Sequence, residues 1–146
     1  MTLRSWIAAV PVAAMATLSV GGCGGEKATL DTFAGNWHAH ARTLKITRPG
    51  NGHERFTLGL GSGVVVELRF QLSRPTGTPH DATAAATVTA VRIADTARDV
   101  FTAAHPPPRA GESFRLRLRD DVITEPLTGA NYCGPGAEWP AAGCGA

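Results

Sequence analysis

One alternating stretch constrains this chain more than any other feature. Val64, Val66, Leu68, Phe70 and Leu72 are apolar, and Val65, Glu67, Arg69, Gln71 and Ser73 fall between them. Successive side chains on an extended chain point to opposite faces, so a period of two sends one set into a core and the other to water. That division belongs to an antiparallel sheet with one wet face. The same residues would scatter around a helix.

The alternation recurs on both sides. Phe56, Leu58 and Leu60 interleave with Arg55, Thr57 and Gly59, and Gly61-Ser62-Gly63 supplies a hairpin-length link to the long run. Downstream, Phe114, Leu116 and Leu118 interleave with Arg115, Arg117 and Arg119. Shorter strands are predicted over residues 36–41, 43–47 and 122–124, with a turn at Arg48-Pro49-Gly50-Asn51-Gly52. Between Ala82 and Ala94 the pattern changes phase. Val88 and Ala90 share one face and Val91 and Ile93 the other, which predicts a bulge or twist near Ala90. Thr96 to Ala104 reads as a short helix with Thr96 as its cap, ended by Pro106-Pro107-Pro108. The fold expected is all-β, a small antiparallel barrel or sandwich of about seven or eight short strands with one short helix. Its predicted inward residues are Trp37, Phe56, Leu58, Leu60, Val64, Val66, Leu68, Phe70, Leu72, Val88, Phe114, Leu116 and Leu118.

Ahead of this domain the sequence reads as an address. Met1 to Arg4 holds one cation, Ile7 to Val20 is an apolar run containing Pro11, and Gly21 and Gly22 follow. These are the parts of a secretory signal, and the run is shorter than the roughly 20 residues a membrane span needs. Val20-Gly21-Gly22-Cys23 resembles the bacterial lipobox, and the whole chain is similar to small lipoproteins of actinobacteria with no assigned function. The lipobox resemblance implies cleavage before Cys23, acylation of its thiol, and a lipid anchor on the extracytoplasmic side of the cell membrane. The alternative is an ordinary signal peptide with an incidental cysteine. The organisation expected is a signal peptide over residues 1–22, a lipidated tether over 23–29 and one domain over 30–146.

With Cys23 acylated, Cys133 and Cys144 remain. Exported proteins meet oxidising conditions, so an even remainder predicts one disulfide; the rival reading is a metal site, but two thiols without an adjacent pair match no zinc pattern well. Phe33-Ala34-Gly35-Asn36-Trp37 also resembles the first-strand Gly-x-Trp signature of lipocalins and their avidin-like relatives. That resemblance implies a barrel whose floor Trp37 closes.

Composition excludes two function classes. With 43% hydrophobic and 18% charged residues the chain is neither disordered nor a solvating tail. Fourteen Lys and Arg against twelve Asp and Glu leave no cationic footprint for nucleic acid.

Catalytic patterns are missing from the sequence. Leu60 breaks any nucleophile elbow at Gly61-Ser62-Gly63, and no helix follows to make a phosphate loop. Asp120 and Asp121 suit a turn, and adjacent residues on an extended chain point apart. Glu67 and Glu125 read as solvated or paired surface groups. His38 and His40 share a strand face and are the candidate metal pair. A site needs three or four ligands, and nothing in the sequence brings His53, His80 or His105 to them. No cofactor is therefore expected. Arg115, Arg117 and Arg119 form a basic stripe, read as solvated and balanced across the sheet by a residue such as Glu67.

The function expected is a non-enzymatic binding or contact role in the cell envelope, through the membrane anchor and a partner or ligand that the sequence leaves unspecified. The alternatives are a lipocalin-like carrier of a small apolar ligand, and an enzyme assembled from dispersed residues. The large inward side chains, with few polar groups among them, predict a filled interior.

Overall fold

The computed structural model describes residues 25–58, 64–94, 106–137 and 143–144. Eight strands follow one another up and down and close into an antiparallel barrel. They are β1 (Gly35–Ala39), β2 (Arg42–Ile46), β3 (Asn51–Leu58), β4 (Val64–Thr78), β5 (Asp81–Ile93), β6 (Ser113–Arg119), β7 (Val122–Glu125) and β8 (Ala130–Cys133). Closure is antiparallel between β1 and β8, where His38 pairs with Cys133. Of the two architectures expected, the chain adopts the barrel. The segment proposed as a short helix, Thr96 to Ala104, lies outside the described residues.

Register follows from the alternation. Phe56 stands opposite Val66, and Glu54 opposite Leu68, so β3 and β4 turn matching faces inward. The predicted inward residues Trp37, Phe56, Val66, Leu68, Phe70, Leu72, Val88, Leu116 and Leu118 are all buried. Phe114 is half-buried and meets Phe70 edge-on, with ring centroids 5.3 Å apart. Leu60 and the side chains of Leu58 and Val64 lie outside the described residues. On β5 the inward set is Ala82, Ala84, Ala86 and Val88, small residues that leave room for those aromatic rings.

The phase change on β5 is a bulge. Arg69 pairs with Ala90 and Phe70 with Val88, which leaves Thr89 as the extra residue and turns Val91 and Ile93 inward. A second irregularity on β4 lies between Ser73 and Thr76, where Arg74 takes a positive φ of 49°. Pro75 falls in that break, where it interrupts no ladder hydrogen bond.

The two barrel ends differ. At one, a 3₁₀ turn over Leu30–Phe33 lies across the opening, with Phe33 fully buried. Trp37 donates its indole N–H to the Phe33 carbonyl at 3.0 Å. Packing starts before this turn, because Ala28 is buried and its N–H bonds to the Gly77 carbonyl at 2.9 Å. Gly52 is the close-approach position of this half, since a Cβ there would overlap the Phe70 ring. The chain after β8 returns to the same end. Asp120 and Asp121 both have positive φ in the β6–β7 hairpin, at 49° and 63°, as a tight primed turn requires. Asp121 then holds the returning segment: its carbonyl accepts from Gly134 at 2.8 Å and its carboxylate from Gly136. Cys133 and Cys144 stand at disulfide distance, with Cα atoms 5.6 Å apart, and pin this segment further.

Outward faces are polar. Lys45, His53, Arg55, Arg69, Arg115, Arg117 and Arg119 are exposed on them. This is the reverse of a membrane-spanning barrel, which is apolar outside and polar within. The basic stripe is balanced in part by Asp81, 3.4 Å from Arg117, whereas Glu67 pairs with Arg55 at 3.9 Å.

Candidate polar site at the far end of the barrel

At the end away from the 3₁₀ plug the interior is not purely apolar. Glu54 on β3 and Glu125 at the tip of β7 are both fully buried, with no exposed surface. The reading of Glu125 as a surface group is therefore overturned. Its parity explains why: it follows Ile123 by two residues on the same strand face, and Ile123 is buried. Glu54 lies one residue before Arg55, where the predicted alternation begins. It stands two residues before Phe56, so the alternation itself puts a carboxylate in the core.

The two acids are organised by β2, β8 and the turn after β7. Tyr132, fully buried on β8, donates its hydroxyl to Oε1 of Glu54 at 2.5 Å. Thr128 donates its backbone N–H to Oε2 of Glu125 at 2.8 Å, its hydroxyl bonds the same oxygen, and Leu127 N–H bonds Oε1. Arg42, the first residue of β2, donates Nη1 to the Thr128 hydroxyl oxygen at 2.8 Å and stands 3.9 Å from Glu54. Its guanidinium also lies over the Phe56 ring, 4.8 Å from the centroid.

One atom remains without a partner. Oε2 of Glu54 is buried with no hydrogen bond, and no other buried side-chain oxygen or nitrogen among the described residues is so placed. The Thr128 hydroxyl also lies 3.1 Å from Oε1 of Glu54, but it has one hydrogen and its nearer neighbour is Glu125. A buried polar atom left alone costs about 1–3 kcal/mol, which marks this carboxyl as the unusual group of the interior.

The electrostatics agree with that marking. Burial, then the nearby Glu125 charge, pushes the Glu54 carboxyl up to about 7, against the hydrogen bonds of Tyr132 and Thr128 and the charge of Arg42. Burial likewise raises Glu125, opposed by its bonds to Thr128 and Leu127. Tyr132 is raised by burial and by the adjacent Glu54, so it stays a donor. Two carboxyls thus face one guanidinium, and near neutrality a proton offsets the second negative charge.

An apolar wall stands beside the acids. Phe56, Val66 and Leu68 form a buried cluster against which the half-buried Val91, Ile93 and Leu127 pack. Leu68 pairs with Glu54 and with Val91, and Val66 with Phe56 and Ile93, so the wall shares the rung of Glu54 and the rung beyond it.

The remaining candidates stay apart. His38 is exposed on the outer face of β1, and His40 is exposed in the turn that follows. Among the described residues no three His, Cys, Asp or Glu side chains converge as a metal site. Cys23 lies outside the described residues. A groove of about 600 Å³ runs along the plugged end between Trp37, Asp121 and Gly134. It lacks any buried unpartnered group among the described residues. Comparison with known protein families, with curated proteins and with solved structures finds no match for this chain.

Proposed function

We propose that this protein is a membrane-anchored, non-enzymatic binding protein of the cell envelope that takes a small, largely apolar ligand into the end of its barrel away from the Leu30–Phe33 plug. The observation that carries the reading is the asymmetry of the interior. One half is packed with aromatic and aliphatic side chains and plugged by Leu30–Phe33. The other combines half-buried apolar residues with an acid of which one oxygen lacks a hydrogen bond. Ligand sites have this composition, an apolar wall with a few convergent polar groups, and eight strands is the size at which a barrel becomes wide enough to hold one small guest. The two buried acids serve as fixed recognition groups.

The lipid anchor on Cys23 fits this arrangement. Ala28 is fixed to Gly77 at the plugged end. Five residues span at most about 18 Å, so acylation of Cys23 holds the plugged end against the bilayer and turns the other end toward the envelope space.

Calorimetric titration with ten-carbon probes (decanol, decanoate and decylamine) tests the reading. At least one should bind saturably at one per barrel, and Val91→Trp, which fills the wall, should abolish binding while the protein still unfolds cooperatively. Absence of binding by all three would contradict the proposal.

A further inference from the structure

We infer that the ligand is a protonated amine with an apolar body, its ammonium donating to Oε2 of Glu54 and its body lying against Val91, Ile93 and Leu127. The inference rests on the binding reading above and specifies the ligand's chemical class. It starts from the fact that neither protonation state satisfies Glu54 with the groups around it. As a carboxylate, Oε2 is an acceptor with no donor; as an acid, the same oxygen is a donor with no acceptor. The missing partner must therefore come from outside the described fold.

Charge selects among possible partners. Arg42 from β2 supplies one positive charge against Glu54 from β3 and Glu125 from β7. Tyr132 from β8 and Thr128 from the turn are neutral donors, while Leu68 from β4 and Val91 from β5 are apolar. A carboxylate guest would add a third negative charge to this site. An alcohol would donate to Oε2 but leave the excess charge in place. An ammonium supplies both a donor and the missing charge, and a charge-assisted hydrogen bond is about twice as strong as a neutral one. The apolar residues beside Glu54 give such a guest somewhere to bury a hydrocarbon body.

An ammonium also takes the place of the proton that Glu54 holds near neutrality. Binding should therefore release a proton below about pH 7, and affinity should rise with pH until Glu54 is ionised. The probe itself stays charged throughout, since an alkyl amine titrates near 10.4 as lysine does.

The test compares decylamine with decanol on the intact barrel by calorimetry in two buffers of different ionisation enthalpy. Decylamine is expected to bind about 10- to 100-fold more tightly than decanol. It should release close to one proton at about pH 6 and far less at about pH 8. Glu54→Gln should erase both the preference and the proton release while decanol still binds. Equal binding of the two probes, or a preference unchanged in Glu54→Gln, would overturn the inference and leave the binding reading standing. If neither binds, and decanoate does not bind either, the binding reading falls as well. Proton release by the unaltered protein decides the matter should the variant fail to fold.

Discussion

Replacing Glu54 by Gln should remove most of the pH dependence of folding between about pH 5 and pH 8. In the folded barrel this carboxyl holds its proton up to about 7, against a reference value of 4.5. Across that window the native state binds more protons than the unfolded chain, so stability must fall as pH rises. The stabilisation is fully present below the unfolded value and is lost as pH passes the folded one. Each unit of displacement is worth about 1.4 kcal/mol, so the loss is on the order of 3 kcal/mol, a large share of a small domain's stability. Glu125, also raised, adds loss of the same sign. Gln keeps the shape and an acceptor for the Tyr132 hydroxyl but cannot ionise. Urea unfolding of both proteins at several pH values measures the effect, and the difference between them cancels contributions they share. The wild type should lose about 3 kcal/mol toward pH 8 and Glu54→Gln much less. Parallel curves, or a wild type that gains stability over this range, would refute the burial argument.

Other perturbations follow from the same structure. Leu68→Ala removes a fully buried side chain on the rung of Glu54 and should cost about 2–5 kcal/mol in denaturant unfolding. Reducing the link between Cys133 and Cys144, eleven residues apart, should lower the melting temperature, by up to about 3 kcal/mol of stability on the chain-entropy model. Free thiols at both positions after export would contradict the pairing. Cys23→Ala should leave an uncleaved precursor or release the protein from membranes, and mass spectrometry should find lipid on the wild-type N-terminus. A mature chain starting elsewhere with a free Cys23 thiol would exclude the anchor.

Strands were legible wherever alternation ran long enough, and the choice between barrel and sandwich was not. Val66 to Leu72 defines the inward face of β4, and the phase change at Val88 to Val91 announces the bulge at Thr89. β8 was not legible, because Ala130–Cys133 is four residues, too short for the alternation of Ala130 and Tyr132 about Asn131 to stand out, and it is held in place by its neighbours β1 and β7. The site stayed hidden for a different reason. Burying a carboxylate is costly, so a lone Glu near a strand is normally assigned to the surface. Parity carried the contrary signal, Glu54 before Phe56 and Glu125 after Ile123. Parity cannot show that Arg42, Thr128 and Tyr132 arrive from distant parts of the chain to offset the cost. The predicted filled interior describes the plugged half well, where Phe33, Trp37, Leu44 and Phe70 are buried together. It misses the polar groups of the other half.

The binding proposal is tested most directly by methyl-resolved NMR spectra of the barrel titrated with decylamine. The methyl groups of Val66, Leu68, Val91, Ile93 and Leu127 surround the proposed site, whereas those of Ile46, Leu72 and Leu118 belong to the plugged half. The expected result is a saturable shift of the first group with the second unmoved. Shifts confined to the plugged half, or none at a probe concentration that saturates calorimetric binding, would contradict a ligand site beside Glu54.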